Sequence, residues 1–182
     1  MKRLIVLSSL SVVVLGGVAL GFRFAGPPWK AEFPLAITRE EHGIRMEKFS
    51  LRDTQGQQTR WEISADVAQV DHQTDTTTLE GVHLILFSTK HGTVLLTARS
   101  GIVQNQSRNM QVCGDVRLIL GEEFSLTTEC LQWYAAEQTL AADAPVIVAM
   151  GNLQVAGQSF RAWIAEERFE IQDRVLARWT EP

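Results

Sequence analysis

Phe49 to Ala68 reads FSLRDTQGQQTRWEISADVA, and its apolar residues fall on alternate positions on both sides of a polar turn. Phe49 and Leu51 precede Asp53-Thr54-Gln55-Gly56, and Trp61, Ile63, Ala65 and Val67 follow it. A period of two interrupted by a Gly-containing turn predicts a β-hairpin with one buried face and one wet face.

The layout recurs. One unit ends a strand on a small residue, passes through a polar tip and enters the next strand at a Val. The small residues are Ala65, Ala98, Thr128 and Gly157, and Val82, Val116, Val146 and Val175 stand 17 or 18 residues after them. Regular spacing of this kind marks a stacked supersecondary unit, here a pair of antiparallel strands. The tips carry turn chemistry: Asp71 to Asp75, Asn105 to Asn109, Ala136 to Gln138 and Glu166 to Arg168. The opposite ends turn at His91-Gly92, Gly121-Glu122 and Gly151-Asn152, so the stack has two rims.

Within the strands the alternation is imperfect. Val82, Leu84 and Leu86 face one way with Ile85 and Phe87 opposed; Val116, Leu118 and Leu120 form a similar set with Ile119 opposed, followed by Phe124 and Leu126, then Val146 and Val148. Eleven or more short strands without a helix predict a sandwich, an open barrel or a jelly roll. The inward set is mostly aliphatic, with few aromatic residues. Such a set suits a lumen for acyl chains, and it equally suits an ordinary packed core.

Composition narrows the function. The 182 residues are 45% hydrophobic and 21% charged, with a net charge of -4, so no basic field is present to attract nucleic acid. Leu4 to Phe22, LIVLSSLSVVVLGGVALGF, carries no charge. As a helix it spans roughly 28 Å, close to the thickness of a bilayer core. A cleaved signal peptide is the competing reading, but its apolar region is normally shorter. Lys2 and Arg3 favour a cytoplasmic N-terminus, and Gly26-Pro27-Pro28 ends any helix beyond the span. The expected organisation is residues 1–3 in the cytoplasm, 4–22 as a transmembrane helix, 23–42 as a tether and 43–182 as one β domain.

Catalytic sets are not found. His42, His72, His83 and His91 are scattered, and no nucleophile elbow, phosphate loop, metal spacing or cofactor motif is present. Asp66, Asp71, Asp75 and Asp143 could supply a carboxylate pair for glycoside hydrolysis, but they read more simply as strand ends and turn formers.

Cys113 and Cys130 present two conflicting registers. A two-residue turn at Gly121-Glu122 sets them face to face, yet it also sets Leu118 against Ser125 and Val116 against Thr127. Shifting by one residue pairs Val116 with Leu126, and a bulge near Gly114-Asp115 reconciles part of the difference. A disulfide and two half-buried thiols both remain open.

The motif string resembles the LptC family. It runs Phe49-x-Leu51-x-Asp53, Gly56, Trp61-x-Ile63-x-Ala65, Leu79-x-Gly81-Val82, Thr97-Ala98-x-x-Gly101, Gly114-Asp115-Val116, Leu126-Thr127-Thr128-x-x-Leu131-x-Trp133-Tyr134, Asp143-x-Pro145-Val146 and Gly157-x-x-Phe160. The resemblance implies a non-enzymatic subunit of the lipopolysaccharide transport bridge, anchored in the inner membrane with its domain in the periplasm. It implies an all-β, open twisted jelly roll of antiparallel strands whose apolar trough receives acyl chains. The implied partners are lipopolysaccharide, the membrane pair LptF and LptG with their ATPase, and an LptA-type protein joined by edge-strand addition.

Carried onto this chain, the trough lining is Phe49, Trp61, Ile63, Val82, Leu84, Leu96, Val116, Leu118, Phe124, Leu126, Val146 and Val148. The edge towards the transporter is expected around Ile44 and Met46, and the edge towards the LptA-type partner around Val175, Ala177 and Trp179. The alternatives are a cleaved soluble LptA-like bridge protein, a membrane-anchored β scaffold that carries no lipid, and a secreted carbohydrate-active enzyme.

Overall fold

The computed structural model describes residues 5–6, 10–12, 36–40, 43–55, 58–88, 92–122 and 124–179. These residues are almost entirely β-strand, and every pairing among them is antiparallel. Two short segments, β1 (Ile5–Val6) and β2 (Leu10–Val12), come first, then β3 (Ala36–Glu40). Six long strands follow: β4 (Gly43–Gln55), β5 (Gln58–Asp71), β6 (Thr76–Ser88), β7 (Gly92–Gln104), β8 (Met110–Leu120) and β9 (Phe124–Tyr134). The rest are short: β10 (Thr139–Ala142), β11 (Val146–Met150), β12 (Leu153–Gly157), β13 (Ser159–Trp163), β14 (Arg168–Gln172) and β15 (Leu176–Trp179). A single 3₁₀ turn, Ile164–Glu166, joins β13 to β14.

Strands β3 to β9 pair in sequence order, each with the next. At β9 the sheet forks. Residues 124–128 pair with β11, whereas residues 132–134 pair with β10. One layer continues as β11, β12 and β15, the other as β10, β13 and β14. The chain crosses between layers three times, at residues 143–145, 157–158 and 173–175.

The long strands belong to both layers because each is creased. Along an ideal strand inward residues are two apart. Here the inward set breaks with a spacing of three between Met46 and Phe49, Ala65 and Ala68, Leu79 and Val82, Ala98 and Gly101, and Thr128 and Leu131. In β8 the break is a bulge: the strand carries one extra residue at Gly114–Asp115 against both β7 and β9. Two successive residues facing out force the backbone to bend, so these breaks, aligned across six strands, fold the sheet along one line. Positive φ at Lys48 (52°), Gly81 (65°), Gly114 (84°) and Asp115 (50°) falls on that line. Gly is the residue that adopts such φ without strain.

The repeat read from the sequence is this line. Val82 lies opposite Ala98, Val116 opposite Thr128, and Val146 between Thr128 and Gly157. Each spacing of 17 or 18 residues is one passage from the crease to a polar tip and back.

The inner faces of the two layers meet in one core. The Phe124 ring of β9 stands edge-on to Phe169 of β14 at 6.2 Å between centroids, and Phe160 of β13 lies 5.8 Å from Phe169. A Cβ on Gly157 would sit 2.3 Å from Ile171 Cγ2, so the glycine permits the close approach of β12 to β14. The core therefore holds an aromatic cluster that the strand-by-strand alternation of β4 to β12 does not reveal.

Only one of the two cysteine registers is realised, and only on the far side of the bulge. Towards the Gly121-Glu122 rim, Leu118 faces Leu126 and Val116 faces Thr128; beyond residues 114–115, Cys113 faces Cys130. The one-residue shift thus runs opposite to the expected one, and Val116 does not face Leu126. The cysteines are bonded, with Cα atoms 4.1 Å apart. Closing a loop of this length stabilises by about 3 kcal/mol through the unfolded state.

Three expectations change. Val67 does not join Trp61, Ile63 and Ala65 on the inner face, because the break after Ala65 turns Ala68 inward instead. Ala36–Glu40, counted with the tether, is a strand on β4. The helix expected over Leu4 to Phe22 lies outside the described residues, apart from Ile5–Val6 and Leu10–Val12, which pair with β15 and β14. Among the described residues no helix is long and apolar enough to cross a membrane.

Gly81 tests the crease. A Cβ there would lie 2.1 Å from the Asp66 carboxylate, whereas Gly121, also at positive φ, has nothing within 4 Å. Gly81→Val is expected to lower the unfolding free energy by about 2–4 kcal/mol, combining backbone strain with displacement of Asp66. Gly121→Val should lose only about 1–2 kcal/mol. Denaturant unfolding of the two variants checks this, and equal losses would contradict a structural role for the crease.

Candidate functional site

Cross-strand register lines up the inner face of the β11 layer in rows. The row nearest the Gly121 rim is Trp61, Leu86, Val94, Leu120, Phe124, Met150, Leu153 and Trp179, each directly opposite the next. The next row inward is Leu51, Ile63, Leu84, Leu96, Leu118, Leu126, Val148, Val155 and Ala177. Nine strands thus contribute to one uninterrupted apolar band. Alternation produces this because every member sits an even number of residues from its neighbours on the same stretch of strand.

All twelve expected lining residues lie on this inner face. Their burial divides them. Val82, Val116, Leu126, Val146 and Val148 are at most 1% exposed and form packed core. Ile63, Leu96 and Phe124 retain 5–9% exposure, while Phe49, Trp61, Leu84 and Leu118 are half-buried. Accessibility therefore rises from the crease towards the rim, and from the forked end towards β4. Outward neighbours alternate with them: His83 and Arg117 are exposed on the opposite face.

Sequence reasoning missed the second layer. Leu131, Phe160, Phe169 and Ile171 close over the band, and all are under 6% exposed. Their signal was present as alternation within β13 and β14, but their partner layer is fixed only by the fork at β9. Leu86, Val94, Leu120, Met150 and Leu153 were also left out of the lining, although they complete the rim row.

The sheet ends are the second candidate feature. Ile44 and Met46 do not form a free edge, because β3 pairs along residues 43–47. Their side chains turn inward, with Met46 against the core. The edge at this end is β3 itself, with β4 beyond Glu47. At the other end, Val175 is buried at 3% just ahead of β15, and Ala177 joins the inner band. Trp179 terminates the rim row and is 67% exposed. Among the described residues, β15 meets β12 on one side and only β1 on the other. An edge strand offers unpaired backbone donors and acceptors to an incoming strand.

Two of the four carboxylates considered for catalysis, Asp71 and Asp66, stand at structural positions. Asp71 Oδ1 accepts the backbone N–H groups of Gln73 and Thr74 at 2.7 and 3.2 Å, shaping the first polar tip. Asp66 covers Gly81. The best-formed charged group, Arg168 between Glu166 and Glu170 and 3.8 Å above the Trp163 ring, braces the β13–β14 turn. Among the described residues no cluster of three metal-ligating side chains occurs.

Comparison with curated proteins gives no match. Residues 11–180 match the family described as lipopolysaccharide-assembly, LptC-related. That match covers the crease, both layers and both sheet ends, and the chain accordingly belongs to the LptC family, whose work is in lipopolysaccharide transport.

Proposed function

We propose that the chain is a non-enzymatic subunit of the lipopolysaccharide transport bridge. It receives lipopolysaccharide extracted from the inner membrane by an ABC transporter and passes it to an LptA-type periplasmic protein. The observation that carries this reading is the apolar band running unbroken across nine strands of one face. Each methylene of an acyl chain kept from water is worth about 0.8 kcal/mol. A band that continues from strand to strand lets a chain move along it without meeting water at any step.

The other elements support the same reading. Leu4 to Phe22 anchors the protein in the inner membrane, so that in the inserted protein Ile5–Val6 and Leu10–Val12 leave β15 and β14 and free the β15 edge; residues 23–35 tether it, and the β domain works as an open jelly roll in the periplasm. The bonded cysteines fit an oxidising compartment. The β3 end is the one that meets the periplasmic domains of LptF and LptG, and the β15 end receives the LptA-type strand.

Lipid first contacts the half-buried residues, Leu84 and Leu118 among them, and the packed residues near the crease are reached only when the layers part. A second reading is favoured by that packing: with five of the expected lining residues at most 1% exposed, the domain could act as a scaffold that carries no lipid.

Photocrosslinking in cells separates the two. A photoreactive residue at Leu84 or Leu118 is expected to yield a lipopolysaccharide adduct that depends on ATP hydrolysis by the transporter, and one at His83 or Arg117 is expected to yield none. Equal labelling of both faces, or none at Leu84 and Leu118 in inserted protein, would return the interior to a packed core.

Leu84→Asp places a charge between Ile63 and Leu96 in the band. With the reporter at Leu118, this change should reduce the adduct at least about tenfold, since burying an unpaired carboxylate costs several kcal/mol. Membrane insertion should be unchanged. An undiminished adduct would contradict the proposed path.

A further inference from the structure

The Cys113–Cys130 disulfide adds nothing to the core. Its neighbours Val112 and Leu131 point inward at 2% exposure, so both sulfurs lie on the outer face, half-exposed and bordered by Ser100, Gln111 and Glu129. Its position is what distinguishes it. It follows the bulge of β8 directly, at the point where the register with β9 changes. It also falls at the fork. On its far edge β9 pairs with β11 through Thr128 and with β10 from Gln132, which leaves Cys130 between the two layers with no ladder partner on that side. There β9 is held from the β8 side alone, and the disulfide is the covalent part of that hold.

Continuing the rim-side register past the bulge would set Cys113 opposite Leu131 and bring the buried Val112 opposite Gln132. The bond selects the bulged register, which keeps Val112 opposite Leu131. Through β9 and β10 the same register fixes the second layer against the long strands.

We propose that Cys113–Cys130 is a thiol–disulfide exchange site that locks the bulged register of β8 against β9 at the fork, and that its reduction by a dithiol frees this register to slip. The thiolate of the dithiol attacks one cysteine sulfur, the S–S bond breaks, and the other cysteine leaves as thiolate and takes up a proton. The second thiol of the reagent then attacks the mixed disulfide, releasing the first cysteine. Two electrons pass to the protein and the reagent becomes a disulfide. The lock is a property of the fold and does not depend on the transport reading.

The test is amide hydrogen exchange on the full-length protein in phospholipid nanodiscs without lipopolysaccharide, oxidised and after dithiothreitol, with thiol alkylation counting two free cysteines. Reduction is expected to speed exchange about a hundredfold in residues 110–116, 128–134 and 139–142, the scale set by losing one cross-link of this loop length. Residues 44–55 and 61–71 should stay unchanged, and reoxidation should restore protection. The Cys113→Ser/Cys130→Ser variant should match the reduced protein; if it does not fold, the reagent experiment on the natural chain still decides. Unchanged exchange in fully reduced protein would overturn the lock, and so would uniform acceleration along the chain, which marks a general staple. Because no lipopolysaccharide is present, neither result bears on whether the inner face carries lipid.

Discussion

A break in the inward phase of each long strand, two successive outward residues in five of them and the bulge in β8, is the constraint from which the architecture follows. A sheet whose inward residues kept a strict period of two would stay open, and its apolar face would have nothing to pack against. The aligned breaks at Lys48, Asp66, Gly81, Arg99, Gly114–Asp115 and Glu129 bend all six long strands along one line. Each strand then contributes one half to each layer. The core, the two rims and the fork at β9 are consequences of that fold line, as is the repeat of small residues and valines that lies along it.

The hairpin stack was legible because its signal is local. Alternation in Phe49 to Ala65 and polar tips such as Asp71 to Asp75 depend on neighbours a few residues away, and the structure reproduces them. The phase of each strand beyond the crease was not legible, since a spacing of three inside a run of period two reads as noise. Val67 was therefore assigned inward in place of Ala68. The cysteine register was legible in part: the two-residue turn gives Cys113 opposite Cys130 and Gly114 beside Asp115 marks the bulge, but the direction of the shift on the rim side was not legible, because a single turn cannot satisfy both halves of the β8–β9 pair. Which layer β13 and β14 occupy depends on pairings between residues far apart in sequence, such as Ala142 with Phe160, so Phe160 and Phe169 had no local signature as lining. The twelve expected lining residues nonetheless all fall on one face, because alternation is clean up to the crease, although several members of the band, Leu86 and Val94 among them, were not expected.

Packing and the proposed passage of lipid make opposing demands on this interior. Residues such as Val82 and Val148, with no exposed surface, stabilise the fold by excluding water, and an acyl chain reaching them must replace contacts they already make. Exchanging one apolar contact for another is nearly neutral in hydrophobic free energy, so the barrier lies in separating the layers, which meet through Phe124, Phe160 and Phe169. Half-buried residues at the rim offer a place to begin that separation without unfolding the crease.

In the proposed transport role the layers part to accommodate lipid while the crease holds. Spin labels carried on unnatural residues at Arg117 and Arg161, exposed on the outer faces of the two layers, report the separation directly by pulsed dipolar spectroscopy. Addition of lipopolysaccharide to the full-length protein is expected to lengthen the label-to-label distance, with a pair at His83 and Arg117 on the same layer unchanged. Bound lipopolysaccharide with no change in the first distance would contradict the account.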